Sequence, residues 1–204
     1  MSAPTINKAN AVLLVRKNLD EADPNGSVMY GDTQDETSDN NSLDDIIDKN
    51  LPEAINEIHR AAPVYLLDDT ATAVSFTSGT ATATNFLRLI GSVDSTSGIA
   101  LSSAFLESSP EAHKQANSYI AATADRPCLV QCLGGEASVT FKYYPKDAGA
   151  TLHYVAAVTY AASASYAYSS RLLQNIIDWL TAKVLETYGD QRAQSYYQRA
   201  LTFH

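Results

Sequence analysis

A chain of 204 residues, of which 45% are hydrophobic and 18% charged, has the balance of a folded globular protein, which excludes a wholly disordered one. No apolar run is long enough to span a bilayer, and the N-terminus lacks the basic and apolar regions of a secretory signal, so we expect a cytoplasmic protein that contacts no membrane. The net charge of −9 comes without a basic stripe, which disfavours nucleic-acid binding, although an acidic surface can line a passage through which DNA moves without being bound.

The first region, residues 5–62, is predicted to form two helices around a loop. Thr5 can cap the first helix, whose apolar positions have helical spacing: Ile6, Ala9, Val12, Leu13 and Leu19. The second helix has a well-defined apolar stripe: Leu43, Ile46, Ile47, Leu51, Ala54, Ile55, Ile58 and Ala61. Pro52 removes one backbone donor inside this helix, which predicts a kink or a helix in two parts, and Pro63 ends it.

The loop at residues 20–48 is strongly acidic. Ten acidic residues and no Lys or Arg occur between Asn18 and Asp48, and the rest of the chain has 13 acidic residues against 14 basic ones. Part of the loop has the oxygen spacing of a calcium-binding EF-hand, with candidate ligands Glu21, Asp23, Asn25 and Asp32. The first and last of these differ from the EF-hand pattern, and no helix is predicted directly after them. A solvated acidic turn is therefore preferred, with a calcium-responsive binding module as an alternative.

The second region, residues 63–160, is predicted to be a β-rich insertion with one helix near 110–120. Its β-type runs are Val64–Leu67, Ala73–Phe76, Asn85–Ile90, Cys128–Leu133, Ser138–Tyr143 and Leu152–Thr159. The helix is indicated by Ser109 as N-cap and Pro110 in the first helical position. Cys128 and Cys132 share one face of a strand, roughly 13 Å apart, too far for a disulfide, and are predicted to be buried, reduced thiols.

The third region, residues 166–204, carries the most regular helical pattern in the chain. Its apolar positions are Leu172, Leu173, Ile176, Ile177, Leu180, Val184, Leu185 and Tyr188. Gly189 can end or bend this helix, and further apolar positions follow it. Helices at both ends and strands between them predict an α+β fold. We expect a helical bundle formed by the N- and C-terminal helices with the β-rich insertion in the middle, all in one domain, 1–204.

No pattern of catalytic side chains is evident. The four histidines are isolated in sequence, and no serine lies in a nucleophile motif or beside an evident base. We therefore expect no enzyme activity, no cofactor and no metal site. The aromatic residues Trp179, Tyr188, Tyr196 and Tyr197 cluster in the C-terminal segment, and the adjacent pair 196–197 points to two faces of a helix. At least one of Tyr196 and Tyr197 is predicted to contact another subunit, and all four aromatic residues are candidate interface residues.

The order of these elements is similar to that of a known protein class. The features in order are the helix Asn7–Leu19, the run Leu51–Glu57, Ala62-Pro63, the strand Phe86–Ile90, the helix Glu111–Ile120, Arg126-Pro127, Tyr143-Tyr144-Pro145, Tyr154, and the helix Leu172–Tyr188 followed by Ala193, Tyr196, Tyr197 and Ala200. This arrangement resembles the head–tail connector (adaptor) proteins of short-tailed bacteriophages. The richness in Ala, Ser and Thr is similar to that of crAss-like phage proteins. The acidic segment Asp20–Asp48 is longer than the usual loop between the first helices of such connectors.

The resemblance implies a structural virion protein of the neck or tail region, assembled in the host cytoplasm. Such subunits form a ring, usually of twelve copies, that binds the portal protein on one side and the next tail or ring protein on the other, while DNA passes through the central channel without sequence-specific binding. It implies that the terminal helix Arg171–His204 supplies much of the portal-side or inter-subunit contact. The alternatives are another phage tail or capsid-accessory protein and, less favoured, a small cytoplasmic enzyme whose site is assembled from distant residues.

Overall fold

The computed structural model describes residues 3–19, 43–94, 97–117, 120–132, 134, 138–146 and 149–203. These residues form ten strands and five helices. In chain order they are β1 (Thr5–Asn7), α1 (Lys8–Asn18), α2 (Leu43–Ala61), β2 (Thr72–Ser75), β3 (Thr80–Thr84), β4 (Phe86–Asp94), β5 (Ala100–Leu101), β6 (Phe105–Leu106), α3 (Pro110–Lys114), β7 (Cys128–Gln131), β8 (Ser138–Tyr144), β9 (Ala150–Ala156), β10 (Ser165–Ala167), α4 (Leu173–Thr187) and α5 (Ala193–Ala200).

The chain divides into two compact units. The terminal unit comprises Met1–Thr70 together with Val158–His204, and the central unit comprises Ala71–Ala157. In the described part of the terminal unit, α1, α2, α4 and α5 pack together beside a two-stranded sheet. In the described part of the central unit, the strands form two four-stranded sheets.

The mixed α+β class is observed, but the predicted helical bundle with a β-rich insertion is wrong. The described residues form ten strands in three sheets against five helices. One of these sheets pairs β1 with β10 inside the terminal unit itself, with Ile6 opposite Tyr166. Four of the strands missed by the sequence analysis, β1, β5, β6 and β10, are two or three residues long. An alternating pattern needs four or more residues to be visible, so such short strands leave no periodicity to detect.

The N-terminal helix begins later, and buries a different face, than its apolar spacing predicts. Asn7, and not Thr5, is its N-cap, and the Asn7 Oδ1 accepts a hydrogen bond from the Asn10 N–H at 3.0 Å. Ile6 therefore lies in β1. The buried residues of α1 are Ala11 and Val15, which share one face at a spacing of four. The predicted stripe included the opposite side of the helix.

The second helix buries the side that its apolar stripe predicts. Its buried apolar residues are Leu43, Ile46, Ile47, Leu51, Pro52, Ala54, Ile55 and Ile58. The helix is continuous from Leu43 to Ala61, so the alternative of a helix in two parts is wrong. Pro52 is itself buried, and its ring therefore contributes apolar surface to the core while it removes one backbone hydrogen bond.

The two sheets of the central unit pack their apolar faces against each other. Their strand orders are β2-β9-β4-β5 and β3-β8-β7-β6. The shared core contains buried residues from both sheets: Ala81, Ala83, Leu129, Phe141, Tyr143, Ala150, Leu152 and Tyr154. Alternate residues of β3 and β8 point into this core, and the residues between them are partly or fully exposed. This arrangement is a β-sandwich.

Two local predictions in this part of the chain differ from the structure. The run Val64–Leu67 was predicted as a strand, but Val64–Leu66 forms a 3-10 turn directly after Pro63. The helix predicted as far as Ile120 ends at Lys114, after only five residues. Its beginning is as expected, since the Ser109 Oγ accepts a hydrogen bond from the Ala112 N–H. The N-cap signal is local and readable, whereas the end of a short helix depends on later contacts.

Gly91 in β4 allows the edge strand β5 to approach closely. A Cβ at this position would lie 2.5 Å from the carbonyl oxygen of Leu101, which is backbone and cannot move aside alone. We expect Gly91→Ala to lower the free energy of unfolding by about 1–3 kcal/mol, the usual cost of overpacking. Chemical denaturation followed by circular dichroism measures this loss, with Ser75→Ala on the exposed part of β2 as the control. Equal stability of the two variants would contradict the expectation.

Candidate interaction surfaces

An open groove of about 700 Å³ runs along the outer side of α1 in the terminal unit. It is lined by Asn7, Lys8, Ala9, Val12, Leu13, Arg16, Asp44, Asp48, Ala162, Ser163 and Ala164. Leu13 is 64% exposed, which is the largest exposure of any large hydrophobic residue among those described. Since Ala11 and Val15 on the inner side are fully buried, α1 has apolar residues on two opposite sides. One side builds the core, and the other faces solvent.

The charged groups at the border of this groove are paired within the chain. Lys8 Nζ lies 3.6 Å from an Asp45 carboxylate oxygen, and Arg16 Nη2 lies 3.1 Å from Asp44 Oδ1. The hydroxyl of Tyr160 donates a hydrogen bond to Asp48 Oδ2 at 3.0 Å, and this bond raises the pKa of Tyr160. The charged side chains at the border of the groove thus neutralise one another, and the residues between them, Ala9, Val12 and Leu13, are apolar. Such a groove suits an apolar segment of another protein better than a charged ligand.

Three of the four predicted interface aromatics are engaged inside their own unit. Trp179 is only 9% exposed and meets the ring of Tyr197 edge-on, with 6.0 Å between ring centroids. The Tyr197 hydroxyl donates to Glu186 Oε2 at 2.9 Å, and burial together with this bond raises the pKa of Tyr197. Tyr196 is partly buried, while Tyr188, just after α4, is 39% exposed. The contact of Tyr196 or Tyr197 with another subunit stays a prediction.

Tyr196 joins the end of α1 to α5. Its hydroxyl donates a hydrogen bond to the backbone carbonyl of Asn18 at 2.9 Å, and the Arg199 guanidinium lies 4.7 Å from the centroid of its ring. The side chain of Asn18 donates to the buried carboxylate of Asp178 at 2.9 Å, and Arg199 approaches the same oxygen at 3.3 Å. Helices α1, α4 and α5 are thus connected by one polar network. The network begins directly before the acidic segment.

We expect Tyr196→Phe to lower the free energy of unfolding by about 1 kcal/mol, because it removes one hydrogen bond and keeps the ring beneath Arg199. Urea unfolding followed by circular dichroism measures the difference from the unsubstituted chain. Tyr65→Phe is a suitable control, since Tyr65 is 60% exposed. If the two substitutions gave the same stability, the hydrogen bond to Asn18 would have no net effect.

A histidine, an aspartate and two serines meet in the terminal unit, although they are distant in sequence. His59 is 2% exposed, and its Nε2 accepts a hydrogen bond from the backbone N–H of Ser169 at 3.3 Å. The Ser169 hydroxyl donates to the carbonyl of Leu66. The Asp69 carboxylate accepts from the N–H and the hydroxyl of Ser170 at 2.8 and 2.7 Å. Although partial burial raises the pKa of Asp69, these hydrogen bonds hold it below its usual value.

The hydrogen bonds of this cluster stabilise the fold and do not have the geometry of a hydrolytic triad. A hydrolytic triad needs a serine hydroxyl that donates to the histidine and is open to substrate. Here the Ser169 hydroxyl is fully buried and donates to a carbonyl, and the His59 nitrogen is occupied by a main-chain N–H. Burial lowers the pKa of His59 to about 4, against the opposing effect of the nearby Asp69 charge. The imidazole therefore stays neutral at physiological pH and serves as a hydrogen-bond acceptor.

The remaining candidate ligands do not come together in a described site. Cys128 and Cys132 are buried free thiols, and burial raises the pKa of each. The calcium-loop candidates Glu21, Asp23, Asn25 and Asp32 lie outside the described residues. Among the residues that the structure does describe, no group of three or more His, Cys, Asp or Glu is placed to hold a metal ion.

The groove was not predicted from the sequence, although a signal for it exists. Ala9, Val12 and Leu13 have helical spacing with Ile6, and this spacing indicates one apolar stripe on the helix. Ala11 and Val15, which were not in the predicted stripe, also have helical spacing with Leu19. A small core can bury only one apolar side of a surface helix, so the other apolar side is exposed to solvent. Helices α2 and α4 pack on the side that is buried, and both are distant from α1 in sequence.

Comparison with known proteins assigns the chain to no family, since no family model matches it and no curated protein matches its sequence. In the part of the chain that the structure describes, no helix combines the length and the apolar character needed to cross a bilayer. The interpretation of function therefore depends on the surfaces described above.

Proposed function

We propose that this chain is a structural virion protein, a head–tail connector (adaptor) subunit that forms a ring between the portal and the tail of a short-tailed bacteriophage. The observation that carries the proposal is the solvent-facing apolar side of α1, where Ala9, Val12 and Leu13 line an open groove. In the isolated subunit, apolar residues on the outer side of such a helix do not add to its stability, because they stay exposed to solvent. Such a surface is typical of a protein that completes its packing against other subunits.

A ring requires two different surfaces on each subunit, because its contacts run head to tail until they close. The terminal unit has two further exposed apolar side chains that do not line the groove. Tyr188 after α4 is 39% exposed and Leu201 after α5 is 55% exposed. In the proposed role, one surface contacts the neighbouring copy and the C-terminal segment contacts the portal or the next tail protein.

The charge distribution supports a channel that DNA passes through without being held. The net charge is −9, and ten of the 23 acidic residues lie between Asn18 and Asp48, where no basic residue occurs. Phosphate binding depends on clustered Lys and Arg that release counterions. A subunit with the opposite balance repels DNA. This fits a passage that must not retain the genome.

The mass and shape of the purified chain test the proposal. Light scattering and electron microscopy are applied to the chain alone and mixed with a portal protein encoded by the same genome. We expect a ring, or a monomer that becomes a ring on the portal. A persistent monomer that ignores the portal would overturn the proposal. A ring at another position in the particle would favour a different tail or capsid-accessory protein.

The contribution of the groove is tested by a matched pair of substitutions at one position. Leu13→Gln makes the exposed side of α1 polar, while Leu13→Met keeps it apolar, and both residues favour helix. We expect Leu13→Gln to weaken ring or portal assembly at least tenfold and Leu13→Met to leave it nearly unchanged. Both variants should unfold at the same temperature as the unsubstituted chain, because Leu13 is outside the core. Equal assembly by the two variants would exclude the groove as a contact.

Point substitutions test the proposed C-terminal contact better than a deletion does. Removing residues 190–204 would also remove α5, which packs on Trp179 through Tyr197 and places Arg199 at Asp178. Loss of binding by such a deletion would not separate a lost contact from a lost fold. Tyr188→Ser and Leu201→Ser change exposed positions alone. Unchanged portal binding by both would exclude these side chains from the contact.

A further inference from the structure

The core of the central unit contains polar side chains at one end of the sandwich. Ser92 of β4 pairs with Leu152 of β9. Asp94, two residues further on, pairs with Ala150, and both partners belong to the core. Residues opposite each other on neighbouring strands have their side chains on the same face, so Ser92 and Asp94 point into the sandwich. Both are buried accordingly, with exposed fractions of 1% and 3%.

Tyr143 of β8 reaches the same end of the core from the opposite sheet. It is completely buried, and its ring centroid lies 5.5 Å from that of Phe76. The Phe76 N–H donates a hydrogen bond to the carbonyl of Ala150 at 3.0 Å, and Ala150 is the residue that pairs with Asp94. Burial raises the pKa of Tyr143, and so does the nearby charge of Asp94. Ser92, Asp94 and Tyr143 thus form a polar cluster inside an apolar core.

Two hydroxyl groups of the polar cluster have no hydrogen-bond partner in the part of the chain that the structure describes. They are the Ser92 Oγ and the hydroxyl of Tyr143. By contrast, the buried Tyr154 hydroxyl in the same core accepts a hydrogen bond from the Thr84 N–H at 3.1 Å. A buried hydroxyl without a partner costs free energy, and in folded proteins nearly all such groups bond to protein or to ordered water. The two hydroxyls therefore point to a ligand between the sheets.

We propose that Ser92, Asp94 and Tyr143 bind one internal water molecule, which joins the two sheets of the central unit. The water accepts a hydrogen bond from the Tyr143 hydroxyl and donates its two hydrogens to the Asp94 carboxylate and the Ser92 Oγ. A buried water typically makes about three hydrogen bonds, which is the number of polar groups in the cluster. Asp94 Oδ2 also accepts from the Ser97 Oγ at 2.8 Å, and a carboxylate can accept about four such bonds in all.

Water fits the polar cluster better than a metal cation does. Calcium takes about six to eight oxygen ligands, whereas the cluster supplies one carboxylate and two hydroxyls. Size indicates the same ligand, because the inward residues of β9 become smaller toward this end, from Tyr154 through Leu152 to Ala150. A short side chain beside Asp94 leaves space for a small molecule. The site lies within the central unit and does not rest on the connector function, whose proposed contacts are in the terminal unit.

Tyr143→Phe removes a single oxygen atom, and the sign of its effect tests the water site. A hydroxyl that is bonded through water loses a hydrogen bond in this variant, so we expect the equilibrium constant for unfolding to rise about fivefold. Urea unfolding of the full-length chain, followed by circular dichroism, measures it. If the hydroxyl were unbonded, the variant would be at least as stable as the unsubstituted chain, and the proposal would be overturned. Tyr65→Phe, at an exposed position, is the matched control and should leave the constant unchanged.

A second substitution tests whether the two hydroxyls share one partner. We expect Ser92→Ala to destabilise the chain as well, and the double variant with Tyr143→Phe to lose less stability than the sum of the two single losses, because both act on the same water. Ser75→Ala, at an exposed position of β2, is the control for the loss of a serine hydroxyl. Strictly additive losses would show that Ser92 and Tyr143 have separate partners and would overturn the shared site.

A high-resolution crystal structure of the full-length chain identifies the ligand directly. We expect one density peak within hydrogen-bond distance of the Ser92 Oγ, the Tyr143 hydroxyl and an Asp94 carboxylate oxygen. A direct bond between Tyr143 and Asp94, without a peak between them, would overturn the proposal. Melting temperatures in sodium, potassium and choline chloride of equal ionic strength separate water from a metal ion, and we expect them to be equal. A higher melting temperature with one of the metal ions would show a cation in the site instead of water.

Discussion

Replacing Phe141 by alanine is expected to lower the free energy of unfolding by about 3–5 kcal/mol, the usual cost of removing a fully buried phenylalanine ring. Phe141 is completely buried between the sheets of the central unit, and its ring centroid lies 5.4 Å from that of Phe86. The loss combines the apolar surface that is no longer buried with the cavity that remains. Urea unfolding followed by circular dichroism measures it. If the two units unfold in separate steps, the loss should occur in the step of the central unit.

The control for Phe141→Ala is the same substitution at an exposed position. Phe105→Ala removes a ring that is 45% exposed, so we expect a smaller change in stability. Should Phe141→Ala fail to fold, Phe141→Leu keeps most of the volume and is expected to cost about 1–1.5 kcal/mol. A loss below 1 kcal/mol for Phe141→Ala would contradict its place at the centre of the sandwich core.

Acidification is expected to destabilise the chain through His59, by about 3 kcal/mol between pH 6.5 and pH 4. Burial lowers the pKa of His59 from 6.5 to about 4 in the folded chain. The unfolded chain therefore binds a proton at a higher pH than the folded chain does. The stabilisation that neutral His59 provides is complete above pH 6.5 and is lost progressively as the pH falls to about 4. The reason is physical: a protonated imidazole at this site would bury a charge and lose its hydrogen bond from Ser169.

The pH profile of stability in a His59→Gln variant isolates this effect from the titration of carboxylates. We expect the unsubstituted chain to lose more stability than His59→Gln between pH 6.5 and pH 4.5, with parallel profiles above pH 7. His113→Gln changes an exposed histidine and should retain the profile of the unsubstituted chain. If His59→Gln and the unsubstituted chain had parallel profiles throughout, the buried neutral state of His59 would be excluded.

Long elements with a regular pattern were predictable from the sequence. In helix α2, the predicted apolar positions Ile47, Leu51 and Ile55 are buried. In helix α4, the predicted positions Ile176, Leu180 and Val184 are buried as well. The strands β7, β8 and β9 begin within two residues of their predicted positions. In these segments the preference of each residue and the period of the apolar positions indicate the same structure.

Short elements and the choice between equivalent faces were not predictable. The sequence Thr80–Thr84 contains only Thr and Ala, and it becomes a strand because β8 pairs with all five of its residues. Val64 is β-branched and Tyr65 is aromatic, but Val64–Leu66 turns as a 3-10 helix directly after Pro63. In α1, two apolar faces compete, and the burial of Ala11 and Val15 places Leu13 outside. Each of these outcomes depends on a partner that is distant in sequence.

The sequence by itself determined the mixed composition of helices and strands, the core-facing sides of α2 and α4, and an acidic balance that disfavours DNA binding. Only the tertiary structure decided the three sheets, the groove at Leu13, and the cluster of His59 with Asp69 and Ser169. The physical reason is the range of the interactions. Periodicity and caps act within a few turns of one element, whereas sheet pairing and burial join residues that are up to about 160 positions apart, as Ile6 and Tyr166 are.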